Sequence, residues 1–130
     1  MNLAEYRATV KKEANHNRAH TALVKACLAW LAAHKVPAWG MNTGAMEIPA
    51  TTATRSRLIR FAFPGCSDIL GIIPRGHCAG RFLAIECKTG AGTLTDDQGR
   101  FQVTVLRAGG AFVVARSLDD MAKVGDLLAE

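Results

Sequence analysis

Among its four cysteines, Cys27, Cys66, Cys78 and Cys87, the sequence has no CxxC pair. That removes the commonest zinc and dithiol signature. A looser zinc set of Cys66, Cys78, Cys87 and His77 is what remains conceivable, while Cys27, inside an apolar helical run, reads as a small core residue. The N-terminus, MNLAEYRATVKKEANHNRAH, is polar where a secretory h-region would stand. The longest apolar stretch, ALVKACLAWLAA, contains Lys25 and is too short to span a bilayer. A cytoplasmic protein without a membrane partner is therefore expected, with its thiols reduced. The sequence also lacks internal repeats, a linker, and the interleaved aromatics of a single-strand stacking platform; only Phe61 and Phe63 alternate, and they suit a core face.

What is there suits one domain: 130 residues, 49% hydrophobic and 21% charged. Sixteen Lys and Arg against eleven Asp and Glu leave a charge of +5, and Asp119, Asp120, Asp126 and Glu130 cluster near the end, so the rest is more basic still. An anionic partner such as nucleic acid fits that balance. Residues 1–19 read as an N-terminal extension: a short helix over residues 3–12, then a break at NHN. A second helix is expected from His20 to His34, with Leu23, Cys27, Trp30 and Leu31 on one side, ended by Pro37. AWGMNTG holds a short strand and a turn, residues 43–56 an excursion, and RLIRFAF a strand. DILGIIP and RFLAIECK form a hairpin. Thr95 and Gln98 make a capping box for a helix whose expected core contacts are Phe101, Val105 and Leu106. GAFVVARS is a strand, followed by a closing helix with Ser117 as cap. The expected class is α/β, a mixed sheet flanked by helices in the order α-βββ-α-β-α.

The stretch AIECKTG places Glu86 and Lys88 on one side of an apolar strand, and Asp68 begins the strand beside it. Two carboxylates held close repel, and a divalent cation relieves the repulsion. Oxygen ligands from Asp68, Glu86 and the Cys87 backbone carbonyl suit Mg2+ or Mn2+, which also bind phosphate. Lys88 beside such an ion would offset charge on a non-bridging phosphoryl oxygen, and phosphodiester hydrolysis is the natural reaction.

These motifs resemble the PD-(D/E)xK nuclease superfamily, and within it the VRR-NUC (virus-type replication-repair nuclease) branch. The likeness runs through AWGMNTG, FPGCSDILGI, AIECK, GTLTDDQ and GGAFVVARSLDD, over roughly residues 20–122. It implies a restriction-endonuclease-like core, a bacterial or phage origin, and metal-dependent cleavage of DNA by Asp68, Glu86 and Lys88. Gln98 matches a family glutamine that contacts substrate or orders water, a role that competes with capping for the same side chain. His20 stands where the family often has a metal-binding Glu on the first helix, and Glu13 is an alternative that reaches in from the preceding segment. Gly40 replaces a family Arg. Asn42 is a candidate phosphate contact, as are Arg55, Arg57 and Arg60 in their Thr- and Ser-rich surroundings. Lys11, Lys12 and Arg18 would extend that patch. Stand-alone relatives resemble Holliday junction resolvases, which implies branched DNA as substrate and a homodimer, with Met41 to Ile48 as an apolar segment open to contact. A general nickase or exonuclease, and a catalytically silent DNA-binding subunit, are the alternative readings.

Overall fold

In this computed structural model, residues 1–41, 45–60 and 62–130 are described, with only the backbone for Ala45, Met46, Ile59 and Arg60. The elements in chain order are α1 (Leu3–Ala33), β1 (Ala38–Gly40), β2 (Ala45–Ile48), β3 (Arg57–Arg60), β4 (Ile69–Ile72), β5 (Phe82–Cys87), α2 (Asp96–Arg107), β6 (Ala111–Ala115), a 3-10 turn (Leu118–Met121) and α3 (Ala122–Leu127). The run FLAIEC forms the central strand, buried along its length after Phe82. It pairs antiparallel with β4, as the two apolar runs predict, and parallel with β6. β1 adds antiparallel to β4, giving a mixed sheet in the order β1-β4-β5-β6, with α2 as the crossover between its two parallel strands.

The register sorts the side chains. Ile69, Ile85 and Val113 are cross-strand neighbours on one face. They join Leu83, Cys27 and Leu31 of α1, and Met121 and Val124 from the C-terminal turn and helix, in one buried cluster. Each of these large side chains contributes about 1.5–3 kcal/mol by leaving water. Burial of Cys27 agrees with its reading as core.

α1 departs from the expected pair of helices. It is one continuous element of 31 residues, started by a capping box between Asn2 and Glu5. NHN does not break it, because Asn and His cost only some tenths of a kcal/mol each inside a helix. Residues 1–19 are exposed apart from half-buried Ala14, so the expected extension is the unpacked half of the same helix. The helix ends where Lys35 takes a positive φ of 58°, ahead of Pro37.

The excursion over residues 43–56 contains a strand: β2 and β3 form a separate two-stranded antiparallel hairpin. It leaves the main sheet at the Asp68 end, since the Met41 N–H donates to the Asp68 carbonyl at 2.7 Å. Phe61 and Asn42 lie outside the described residues. On α2 the capping box forms as expected and Val105 is buried, but Phe101 is half-buried and Leu106 is 52% exposed. One residue is 100° of helix rotation, enough to carry Leu106 off the packed face. Ser117 makes no side-chain cap; the chain enters α3 through the 3-10 turn instead. Among the described residues, no helix is long and apolar enough to cross a membrane.

Candidate active site

Asp68 precedes β4 by one residue, and Ile69 pairs with Ile85, so the antiparallel register sets Asp68 alongside Glu86. The turn before it needs glycine. Gly65 has a φ of +84°, and a Cβ there would stand 2.3 Å from the Asp97 carbonyl oxygen. This close approach ties the Asp68 segment to the first turn of α2, where Gln98 stands.

Asp68 is 7% exposed and Glu86 3%. Asp68 Oδ2 accepts the Cys87 N–H at 2.8 Å and lies 3.3 Å from His20 Nε2. A residue's N–H and C=O leave an extended strand on the same side, so the Cys87 carbonyl emerges toward Asp68 as well. The Cys87 thiol is buried in the core, where contact with Cys27 and then burial push it up; only its backbone serves the site. Glu86 Oε1 accepts from Gln98 Nε2 at 3.0 Å and is 3.7 Å from Lys88 Nζ. Glu86 Oε2 is buried with no hydrogen-bond partner. Burial, and then the charge of Asp68, push the Glu86 carboxyl up to about 8, against the opposing effect of Lys88. The same two carboxylates, after burial, raise the neighbouring Cys66 thiol.

Gln98 closes the cap and at the same time reaches two of the expected site residues. Its Oε1 accepts from the Thr95 N–H at 2.9 Å, closing the cap, and from Lys88 Nζ at 2.8 Å, while Nε2 reaches Glu86. One amide has lone pairs and protons enough for all three bonds. The helix cap, the lysine and the carboxylate are thereby held in one network.

These groups surround a cavity of about 340 Å³, whose lining includes His20, Asp68, Glu86, the Cys87 backbone region, Lys88 and Gln98. His16, Asn17, Thr89 and Gly92 line it too and were not foreseen. His16 sits one helical turn before His20, with Nδ1 3.3 Å from Thr89 Oγ1. The i, i+4 spacing in HNRAH was visible, but only a helix unbroken at NHN makes it a shared face. Glu13 is exposed and does not line the cavity. Arg55, in the loop joining β2 to β3, and Arg57, at the start of β3, are exposed and do not line the cavity, and the Arg60 backbone pairs with Ala45 in the hairpin. Asn42 lies outside the described residues.

The zinc set does not assemble. Cys78 and Cys87 belong to the core, and His77 Nδ1 is bonded to the Ala129 carbonyl at 2.8 Å. Among the described residues, no three His, Cys, Asp or Glu side chains already converge as a metal cluster. A hard divalent cation nevertheless suits what is present: two adjacent buried carboxylates, one with an orphaned oxygen, and a backbone carbonyl on the same side. Compared with protein-family models, curated proteins and solved structures, the chain matches none.

Proposed function

We propose that the protein is a Mg2+- or Mn2+-dependent endodeoxyribonuclease that hydrolyses phosphodiester bonds in branched DNA, four-way junctions above all, on a core of restriction-endonuclease type. One observation carries the reading: Asp68 and Glu86 lie side by side, nearly excluded from water, with an unpartnered Glu86 oxygen and Lys88 at the same cavity. Burying two like charges is costly, and a fold that needed only stability would fill the position with apolar groups. The sequence motifs around these residues resemble the VRR-NUC pattern and supply the DNA and the branched substrate.

Asp68, Glu86 and the Cys87 carbonyl would hold the cation, with His20 beside Asp68 as a further donor. When bound, such an ion neutralises phosphoryl charge and makes water more acidic. Lys88, steered by Gln98, donates to a non-bridging phosphoryl oxygen and offsets the charge that grows on it as the bond to the incoming oxygen forms. Gln98 keeps Glu86 Oε1 turned toward that lysine, leaving Oε2 for the cation. Arg55, Arg57 and Arg60 lie on a hairpin rooted at the Asp68 end of the sheet, where they would follow the phosphates of a DNA arm. Their contribution is sequence-independent and weakens steeply with salt.

The test offers purified protein labelled duplex, single strand, flap, splayed arm and four-way junction, with Mg2+, Mn2+ or EDTA. Junction cleavage that EDTA abolishes is the expected result. Cleavage that persists in EDTA, or none with any substrate and metal, removes the assignment; equal nicking of linear duplex and junction removes the substrate preference alone.

A further inference from the structure

We propose that His16 is the general acid of this site, giving a proton from Nε2 to the bridging oxygen that leaves phosphorus, a role that rests on the nuclease reading above. His16 precedes His20 by four residues on the unbroken α1, so the two rings share a helix face and stand about 6 Å apart along its axis. His20 reaches the buried Asp68, and His16 lines the same cavity one turn further out. Its ring is held in place. Nδ1 lies 3.3 Å from the hydroxyl of Thr89, the residue after Lys88. The loop that carries Thr89 is tied in turn, because the Gly92 carbonyl accepts from Arg116 Nη1 at 2.7 Å. Nε2, across the ring, has no hydrogen-bond partner among the described residues.

The other proton carriers of the cavity are committed. Lys88 Nζ donates to Gln98 Oε1 at 2.8 Å and faces Glu86 Oε1 at 3.7 Å, and the nuclease reading gives its charge to a non-bridging oxygen. His20 Nε2 faces Asp68 Oδ2 at 3.3 Å. A cation on Glu86 takes the place of that carboxyl's proton. The Cys87 thiol lies in the core. The amide of Asn17 and the hydroxyl of Thr89 are too weakly acidic for the task, whereas histidine is the side chain that gains and loses protons nearest to neutrality. As the water oxygen bonds to phosphorus, the bond from phosphorus to the leaving oxygen breaks and its electron pair passes to that oxygen. An alcohol oxygen with that pair is strongly basic, and the His16 proton neutralises it. The attacking water releases one proton to solvent, and the ring regains one from there, so the products are a phosphate monoester and an alcohol. General acids of this kind contribute on the order of 10²–10⁴ in rate.

The test offers the full chain, with Mn2+, two four-way junctions that differ only at the scissile linkage. One has the natural leaving oxygen and the other has sulfur in its place. A thiolate leaves without a proton, so a general acid matters for the oxygen junction alone. His16→Ala should cut the oxygen junction about 100-fold or more slowly than the parent, and the sulfur junction at close to the parent's rate. His16→Gln can still bond to Thr89 but supplies no acid, and it should behave as His16→Ala does. His16 is exposed on its helix, so both variants should keep the parent's circular dichroism. Equal slowing on the two junctions would mean that His16 only holds the phosphate, and rescue by Gln that it only joins α1 to the Thr89 loop; either result overturns the proposal. A parent that cuts neither junction removes the nuclease reading and this role with it. A parent that cuts the oxygen junction, matched there by His16→Ala, removes the role alone.

Discussion

The two faces of the four-stranded sheet answer different demands on the same strands. Toward α1 and α3, β5 presents Leu83, Ile85 and Cys87, all within 1% of complete burial. Toward α2 it presents Phe82, 40% exposed, then Ala84, then Glu86. Moving one residue along the strand changes the environment from hydrocarbon to a carboxylate pair, because successive side chains point to opposite faces. The first face can be optimised for packing alone. The second carries groups that cost stability where they stand, namely Asp68 and Glu86, and the exposed apolar side chains of Trp39, Ile72 and Phe82. The core face therefore stabilises a fold whose other face holds a buried carboxylate pair.

The sharpest way to test that division is to substitute neighbours on β5. Glu86→Gln should abolish most DNA cleavage, by about 100-fold or more, since several kcal/mol of charge stabilisation depend on that carboxylate. Its urea midpoint at neutral pH should stay at or above the parent's, because the folded chain no longer has to take up a proton to bury that side chain. Ile85→Ala, one residue away, should lower stability by about 2–5 kcal/mol while the surviving folded protein cuts normally. A Glu86→Gln protein that cuts like the parent, or that unfolds as readily as Ile85→Ala, would erase the distinction between the faces.

A smaller effect should appear in the pH dependence of stability in EDTA. The folded-state carboxyl of Glu86 titrates near 8, above its ordinary 4.5. Between those values the folded chain holds a proton that the unfolded chain has released. The stability tied to that proton is complete below about 4.5 and is lost as pH rises toward 8. Melting temperatures taken from pH 5 to 8 should fall for the parent and flatten for Glu86→Gln, while Ile85→Val should shift the curve down uniformly. Parallel curves for the parent and Glu86→Gln would contradict the assignment of the burden to this residue.

The least disruptive comparison separates the two duties of Gln98. Thr95→Ala removes the helix cap alone and should cost about 1 kcal/mol with cleavage little changed. Gln98→Ala removes the reciprocal half of the cap and also frees Lys88 and Glu86, so its kcat should fall further than its stability explains. Equal ratios of activity loss to stability loss in the two variants would show that Gln98 acts only as a cap.

Several of these features could be read before any coordinates. Alternating apolar residues marked the β4–β5 hairpin, and Thr95 with Gln98 marked the start of α2, because strand alternation and helix capping are local. The length of α1 was not legible. Its polar segment, HNRAH included, has weak propensity either way, and continuity was decided by the packed half from His20 onward carrying the helix back past the sheet. His16 was lost as a cavity residue for the same reason. Leu106 was misplaced because a helix's buried arc depends on where the neighbouring strands lie.

Taken by itself, the sequence determined which residues have chemistry to offer: two carboxylates, a lysine and a glutamine near apolar strands, with the spacing that sets Glu86 and Lys88 on one side. It also determined a single mixed α/β unit, since its hydrophobic periods change from strand to helix in a readable order. Only the tertiary structure decided that Gln98 serves the cap, Lys88 and Glu86 together, that one oxygen of Glu86 is left without a partner, and that Trp39 stands uncovered. Those outcomes depend on distances between elements far apart in the chain, and burial, which sets the energy of each charge, exists only after the elements have packed.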